Sequence, residues 1–428
     1  PNNPAQQKVL LRSVNSNAQQ GQNPGFHEWA MMYQLNNACN TILEAVDKTT
    51  FTGDAAAKKN AIKAWAYFWK GIAYSRIGSL YYAGLIVNTA SVTNNTYVSK
   101  EKIIDEANAN FDKAAAAATA SGSNADFQAV LTSLIPDFFQ NEKGAVPSGA
   151  QWVKNINTLK ARNILVNTPT ATMTAAQWGQ ILTLANAGVG ASDPVFAGTT
   201  NANGDIFSPS NYNVAARAVG SNASGNTYKI SERLIQDFNA GDQRLANNFK
   251  QYPIWIGNAD RGNAFNTRWA IVDKGAGLAG VMVYSNRTAG AGVLYLAGSY
   301  EENELMKAEA KLWTGDVAGA AASINAVRAY QGAGIAAITS TDAATVKEEL
   351  RKERRVALAF RGLSFYDARR WGVLENGRTG AVVISKDGSS ISKNATIKYN
   401  YLDYWDVPEN ELANNPAGAG SAPLKNPK

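Results

Sequence analysis

The chain has 428 residues, of which 45% are apolar and 18% are charged, with 41 basic and 34 acidic side chains. A chain of this length can bury a large core, and its apolar content argues against intrinsic disorder. One Cys and one His exclude a disulfide framework, a multi-thiolate metal site and HExxH metalloprotease chemistry. No run of about 18 apolar residues is present, so no helix is expected to span a membrane.

The net charge of +7 is diffuse, because Lys and Arg are interleaved with Asp and Glu and no block of five like charges occurs. We therefore expect no nucleic-acid partner. The composition favours Asn, Gly and aromatic residues, with 36 Gly, 10 Trp, 17 Tyr and 14 Phe. Few charges, many amides and many flat rings suit an exported protein that binds neutral polar ligands.

Apolar residues recur at three-to-four spacing through the first 190 residues, which is typical of amphipathic helices. The predicted helices span about residues 27–46, 58–80, 100–120, 152–167 and 174–188. Ser99 is the expected N-cap of the third helix. The last two are expected to form a helix pair, in which Thr174 and Gln177 fit a capping box.

The central segment has a different pattern. From residue 172 to 228 only three charged residues occur among Asn, Gly, Ser, Thr and Pro, which predicts loops. Residues 250–298 alternate short apolar runs with Gly turns, which predicts small strands or irregular hairpins. A GxGxxG match at residues 275–280 precedes a strand-like segment rather than a helix, so we interpret it as a flexible turn.

Charged residues concentrate again at 301–371, where helices are predicted over 300–313, 317–330 and 342–360. The last is expected to be salt-bridged along its surface. Glu301, Glu302 and Glu304 lie in a first helical turn, where the helix dipole favours negative charge. We therefore interpret them as structural rather than as glycosidase carboxylates.

Paired helices with Ala and Gly at their crossings resemble tetratricopeptide repeats, although the repeat length is irregular. We predict a mainly α fold of tetratricopeptide-like helix pairs, an α-α superhelix, with an irregular, loop-rich, short-strand ligand-binding insertion. The whole chain, 1–428, is expected to form a single domain. Its expected parts are N-terminal helix pairs (26–190), the insertion (191–299), a C-terminal helix pair with a signature helix (300–371) and an irregular tail (372–428).

Residue types needed for catalysis are scarce. Ser-His-Asp or Cys-His catalysis would depend on the single His27, which lies near a predicted helix start. Cys39 falls inside a helical pattern and is expected to be a small buried hydrophobic residue. We predict no catalytic residue, no cofactor and no metal ligand, and hence no enzyme.

The aromatic residues fall into two groups. Those on helical stripes, including Trp313 and Phe360, are expected in the core. Those in Gly- and Asn-rich connections suit a sugar, because a flat ring packs against the C–H face of a pyranose while amides meet its hydroxyls. For each ring of this second group, packing remains the alternative. The predicted ligand-binding residues are Trp255, Trp269, Tyr284, Tyr252, Tyr81 and Tyr82.

The C-terminal part carries a specific pattern: ELMKAEAKLWTGD at 304–316, ERRVALAFRGLSFYDARRW at 353–371 and VPENEL at 407–412. It closely resembles the SusD/RagB family of outer-membrane nutrient-binding lipoproteins. The resemblance is looser at 36–86 and nearly absent at 120–300. Ala357 and Arg361 stand where that family usually carries Glu, and Ser364 where Arg is usual, so we expect local repacking there.

The resemblance implies a helical fold with four tetratricopeptide-like helix pairs and a non-catalytic role in capturing oligosaccharides for import. It implies a surface-exposed, lipid-anchored protein of the cell outer membrane that acts as the lid of a SusC-like TonB-dependent transporter. It also implies that a signal peptide and an acylated Cys preceded Pro1. Cys39 cannot be that acylated residue, because it lies within a predicted helix. A peptide-binding member of the family, a protein-binding tetratricopeptide scaffold and a glycan hydrolase remain as alternatives.

Overall fold

The structure is a computed structural model that describes residues 12–19, 23–136, 140, 145–199, 230–256, 267–271, 293–374, 377–384, 390–396 and 402–428. The chain divides into two compact units. The first unit comprises residues 3–136, 146–167 and 399–428, and the second unit comprises residues 1–2, 137–145 and 168–398. The organisation as a single domain stays a prediction.

The fold is mainly helical, as expected from the sequence. The helices are α1 (Pro24–Val46), α2 (Ala55–Leu80), α3 (Lys100–Ser121), α4 (Ala125–Leu134), α5 (Gly149–Asn167), α6 (Ala175–Asn186), α7 (Glu232–Ile235), α8 (Gln243–Asn248), α9 (Tyr300–Trp313), α10 (Val317–Tyr330), α11 (Ala343–Ala357), α12 (Ser364–Arg370) and α13 (Glu409–Asn414). The strands are β1 (Ala83–Gly84), β2 (Val98–Ser99), β3 (Ala197–Thr199), β4 (Phe249–Ile256), β5 (Thr267–Ile271), β6 (Val293–Tyr295), β7 (Ala381–Ile384) and β8 (Ile391–Ala395). They pair antiparallel as β1–β2, β3–β6, β4–β5 and β7–β8.

Side-chain caps set the start of several helices. The Asn23 side chain accepts hydrogen bonds from the first backbone amides of α1, and Asp54 does the same for α2. At α6 the predicted capping box is present, with Thr174 and Gln177 each bonded to the other's backbone. These bonds satisfy amides that a helix start leaves without an intrahelical acceptor.

The first unit packs helices in sequence order. Helix α2 lies against α1 and α3, and α3 also contacts α5. Its core gathers large side chains such as Trp29, Tyr74 and Ile103, all at most 1% exposed. The C-terminal tail completes this unit, since the backbone of Trp405 pairs with Leu80 and Tyr82 and Val407 joins the same core.

The second unit centres on α9, which packs against α6, α10 and α11. Many of its buried contacts are ionic rather than apolar. Arg370 of α12, with a buried side chain, donates to both carboxylate oxygens of Glu309 at 2.6 Å, and Arg354 donates to Asp367 at 2.9 Å. The predicted salt-bridged helix over 342–360 corresponds to α11, which is shorter at its C-terminal end.

Three sequence expectations differ from the structure. Helices α5 and α6 belong to different units, because α5 packs on α3 and α6 packs on α9, so the expected pairing of the two is wrong. Helix α4 was not predicted. Trp313 and Phe360 are 42% and 43% exposed rather than in the core, because each lies where its helix ends.

Candidate functional site

A cluster of four aromatic side chains lies in the second unit, and we call it the aromatic cluster: Phe238, Phe249, Trp269 and Phe360. Phe249, at the start of β4, is its buried centre. The ring centroids of Phe238 and Phe360 lie 5.7 Å and 6.4 Å from that of Phe249. Trp269 packs against the same group of residues from β5.

The β4–β5 pair positions Trp269. The two strands are antiparallel, with Gln251 opposite Trp269, and the register shifts between Gln251 and Ile256. Such a shift bends a strand and redirects its side chains. Trp269 is half-buried, so part of its surface faces solvent.

Phe360 is held in a backbone conformation that usually requires glycine. Its φ is +64°, in the left-handed region, and the side chain is 43% exposed. Bulky residues avoid this region, and where they occupy it the strain often accompanies function. The neighbouring Arg361 is anchored, since its guanidinium lies 4.1 Å from the Tyr295 ring centroid and donates to Glu301 at 2.9 Å. Arg361 is therefore held in an ion pair with Glu301.

Polar groups lie beside Trp269. With its amide oxygen turned toward Arg268, Gln251 accepts from the guanidinium at 2.9 Å and 3.0 Å. Glu232 of α7 is buried and forms an ion pair with Arg268 at 3.6 Å. Burial raises the pKa of Glu232, although Arg268, Gln236 and the Trp269 indole counteract the shift. Flat rings with amide and guanidinium groups at their edge can contact both the apolar face and the hydroxyls of a sugar.

The other predicted site residues do not all join the aromatic cluster. Tyr252 and Trp255 lie on β4, but their side chains are outside the described residues, and all of Tyr284 is outside them. Tyr81 and Tyr82 lie in the first unit, directly after α2. These candidates therefore stay predictions, apart from Tyr81.

Tyr81 is packed as a core residue. Its side chain is fully buried, with its ring edge-on to Trp29 and Trp405 and its hydroxyl donating to the carbonyl of Gly25. No ring face is available to a ligand, so we correct its assignment. Tyr82 is half-buried, and the Lys100 ammonium lies 5.7 Å from its ring centroid.

Hydrogen bonds from α1 and α2 hold the connection after Tyr82 in place. The hydroxyls of Tyr33 and Tyr74 bond the backbone of Leu85 and Val87. The buried Lys70 ammonium donates to the side-chain oxygens of Asn40 and Asn88. Burial lowers the pKa of Lys70 to about 8. This part of the first unit is therefore ordered by polar contacts and can present its exposed Asn and Thr side chains in a fixed arrangement.

Sequence reasoning missed Phe238, Phe249 and Phe360 as members of the site. Phe360 was assigned to the core because it continues the helical stripe of α11. Gly362, two residues on and itself at a φ of +72°, was the signal for a helix end there. The exposure of Phe360 follows from that early end.

Among the described residues, no helix combines the length and apolarity needed to cross a membrane. Within the same part of the chain, no group of three or more His, Cys, Asp or Glu is arranged to hold a metal ion. Cys39 is buried, as expected, and burial raises the pKa of its thiol to about 11. An unreactive thiol of this kind suits a structural residue.

The fold is that of tetratricopeptide-like helical proteins of the SusD class. Residues 302–418 match the model of the SusD family. A SusD-like protein from Bacteroides fragilis shares the fold with a TM-score of 0.62 at 16% identity, covering 92% of this chain and 85% of its own. A SusD-like carbohydrate-binding protein from the same species has a TM-score of 0.58 at 15% identity, with coverage of 91% and 85%.

A putative sugar-binding protein from Bacteroides vulgatus also shares the fold, with a TM-score of 0.57 at 18% identity and coverage of 91% of this chain and 83% of its own. No curated protein matches the sequence. At these identities the solved structures establish the fold, while the sequence match over 302–418 covers the pattern that first indicated the family. Over residues 302–418 the sequence matches the SusD/RagB family, and the fold is SusD-like.

Proposed function

We propose that this protein binds oligosaccharides at the bacterial cell surface for import and does not alter them chemically. The observation that carries the proposal is the aromatic cluster, in which Phe360 and Trp269 are partly exposed on an ordered framework. Two solved structures of the same fold, a SusD-like carbohydrate-binding protein and a putative sugar-binding protein, support the choice of ligand.

The geometry suits a neutral sugar. Phe360 is 43% exposed, and its backbone has little freedom to move. Its strained residue lies between the end of α11 and Arg361, which is bonded to Glu301. An exposed ring on a fixed backbone loses little conformational entropy on binding. Gln251 and Arg268 supply hydrogen-bonding groups beside Trp269, so that ring contacts and polar contacts can act on one sugar unit.

The proposed partner is a SusC-like TonB-dependent transporter, for which this protein would act as the lid. The proposed location is the outer membrane surface, with attachment through a lipid anchor. The match of residues 302–418 to the SusD family supports both proposals. No cofactor, metal or nucleic acid is part of the proposed activity.

The test is a glycan-binding screen followed by calorimetric titration of the best glycan. Alanine at both Trp269 and Phe360 is expected to weaken glycan binding by at least about tenfold, because rings at the centre of an interface dominate its free energy. Trp313→Ala is the matched control, since Trp313 is 42% exposed in the same unit but stacks on Trp178 instead. It should retain wild-type affinity within about twofold.

The outcomes separate the alternatives. Unchanged glycan affinity in the double variant would show that the glycan site does not include the aromatic cluster. Binding of peptides with no glycan affinity favours the peptide-binding alternative, and binding of protein alone favours a scaffold. Release of reducing ends during prolonged incubation would show a hydrolase.

A further inference from the structure

Lys70 of α2 is a buried lysine whose hydrogen bonds, among the residues that the structure describes, go to amide oxygens. Lys70 is 2% exposed. Its ammonium donates to the side-chain oxygen of Asn40 on α1 and, at 2.8 Å, to that of Asn88 in the connection after α2. Lysines are almost never fully buried unless they are paired with an opposite charge. Because amide oxygens neutralise no charge, burial in this environment favours the neutral amine.

The buried position makes Lys70 a candidate nucleophile. Burial lowers the pKa of Lys70 to about 8. The titratable groups that act on it are Glu106 and Lys113 on α3 and Cys39 on α1, of which Glu106 and Cys39 raise the pKa and Lys113 lowers it. A large share of the Lys70 side chains is therefore neutral at mildly alkaline pH. A neutral, desolvated lysine amine can attack a carbonyl carbon.

The side-chain amide of Asn88 is held at both of its polar atoms. Its oxygen accepts from Lys70 at 2.8 Å, so the carbonyl carbon one bond further is close to the amine. Its nitrogen donates to Oε1 of Glu106 at 3.1 Å, and Asn110 donates to the same oxygen at 2.9 Å. An amine, an acyl group and a carboxylate are thus held in contact, which makes a reaction among them intramolecular.

The side-chain amide of Asn40 differs in its second partner. Its oxygen also accepts from Lys70, but its nitrogen donates to the backbone carbonyl of Val87 at 3.0 Å. A carboxylate can take up a proton and return it at neutral pH, whereas a backbone carbonyl cannot. Asn40 is also 1% exposed, whereas Asn88 is exposed, so ammonia released from Asn88 can leave to solvent. Asn88 is therefore the expected acyl group.

We propose that Lys70 and Asn88 form an isopeptide bond, with Glu106 as the proton carrier. The Lys70 nitrogen attacks Cγ of Asn88, and the new C–N bond forms. The proton that this nitrogen loses passes through the Glu106 carboxylate to Nδ2 of Asn88. The bond between Cγ and Nδ2 then breaks, and ammonia leaves. Glu106 returns to its ionised form, and the reaction needs no oxidant, reductant or other reactant.

The bond ties the connection after α2 covalently to the middle of that helix. It closes a loop between residues 70 and 88, and a covalent closure of this kind stabilises a fold mainly by restricting the unfolded chain. The sequence has a single Cys and so offers no internal disulfide for this purpose. A linked chain has no Lys70 amine to titrate, so titration of Lys70 is a property of the unlinked chain.

The experiment incubates the full chain at about pH 6 and at about pH 9 and follows it by peptide mapping with mass spectrometry. The expected product is a branched peptide that joins Lys70 to Asn88 and is lighter than the two parent peptides by one ammonia. Because the neutral amine is the reactive form, this peptide should accumulate at least about tenfold faster at the higher pH. The branched peptide is decisive, since an asparagine can also lose ammonia by cyclising onto its own backbone.

Variants separate the roles of the three side chains. Lys70→Arg keeps the cation but removes the amine, so it should give no branched peptide. Glu106→Gln removes the proton carrier and should slow bond formation by at least about tenfold. Lys160→Arg is the matched control, because Lys160 of the first unit pairs with the carboxylate of Asp112 at 2.5 Å, and it should leave the yield unchanged. If Lys70→Arg does not fold, Asn88→Ala replaces it, since Asn88 is exposed.

The outcomes are distinct from those of glycan binding. Absence of the branched peptide from wild type at both pH values overturns the proposal. A branched peptide that joins Lys70 to Asn40 also overturns it, as does a rate in Glu106→Gln equal to that of wild type. Glycan affinity enters none of these measurements, so the isopeptide bond and the proposed function can fail independently.

Discussion

The two units are stabilised by different kinds of contact. In the first unit, α2 crosses its neighbours through small residues, and aromatic side chains such as Trp29 and Phe111 fill the remaining space. Its buried cation Lys70 is held by neutral amides. In the second unit, α9, α11 and α12 bury several complete ion pairs. The same helical architecture is thus specified by shape in one unit and by charge pairing in the other.

This difference predicts which substitutions each unit tolerates. Buried ion pairs add little net stability, because desolvation offsets their attraction, but they fix which side chains meet. Close helix packing instead depends on volume at each crossing. We therefore expect the second unit to be sensitive to loss of one charged partner and the first to be sensitive to added volume.

The largest expected effect is on Arg370. Arg370→Met removes the donor to both oxygens of Glu309 and one donor to Asp367, and Glu309 then keeps only the Trp371 indole at 3.2 Å among the bonds described here. An unpaired buried carboxylate should lower the free energy of unfolding by about 3–5 kcal/mol. Urea denaturation measures this change.

The exposed pair of Glu348 and Arg351 gives the matched control. Glu348 is 51% exposed, and Arg351 keeps Asp237 when Glu348 is replaced. Glu348→Gln should change stability by at most about 0.5 kcal/mol. If Arg370→Met were as mild as this control, charge pairing would not specify the second unit.

Acid pH should act on the second unit through Glu349. Burial opposes ionisation, but hydrogen bonds from Arg328, Asn239 and Lys352 lower the pKa of Glu349 from 4.5 to about 2. Because the folded pKa lies below the ordinary value, the stabilisation is present above pH 4.5 and is lost as the pH falls toward 2. The difference corresponds to about 3 kcal/mol at most. Urea unfolding of wild type and Glu349→Gln at pH 7 and pH 3 tests this: the variant should lose less stability on acidification.

Alkaline pH should act on the first unit through Lys70, in a separate pH range but with the same sign as for Glu349. Burial lowers the pKa of Lys70 from 10.5 to about 8, so stability should rise with pH between these values. Lys70→Met should remove that rise and leave the loss of stability at acid pH unchanged. Glu349→Gln should reduce the loss at acid pH and keep the rise at alkaline pH. Equal pH profiles for the two variants would contradict the assignment of each titration to its own unit.

Some of this structure was predictable from sequence and some was not. Helical periodicity located α1, α2, α3 and α9 closely, and the capping box at Thr174 was confirmed, because both are set by local residues. The partner of α6 was not predictable, since adjacency in sequence suggested α5 and only tertiary packing selects α9. The exposure of Phe360 depends on a helix end that its apolar spacing conceals.

The site shows the same division between local and tertiary information. The sequence predicted that Trp269 lies on a short strand, as β5 confirms, and family resemblance located the C-terminal pattern. It did not predict that Phe360 packs near Phe249, whose core group Trp269 also contacts, because Phe360 is far from both in sequence. Tyr81 was assigned to the ligand site for its position after a helix, but the tail residue Trp405 covers it.

The smallest of the expected effects tests the shape-based half of the comparison. A Cβ at Gly71 of α2 would lie 2.5 Å from two ring atoms of Phe111 on α3, closer than van der Waals contact allows. Because Phe111 is fully buried, its ring cannot move aside without displacing other core residues. Gly71→Ala should therefore destabilise the protein by about 1–3 kcal/mol, although Ala favours helix. Gly179→Ala in α6 is the matched control, since nothing lies within 4 Å of its added Cβ, and it should be neutral or stabilising. If both variants gained stability in urea unfolding, volume at the α2–α3 crossing would not specify the first unit.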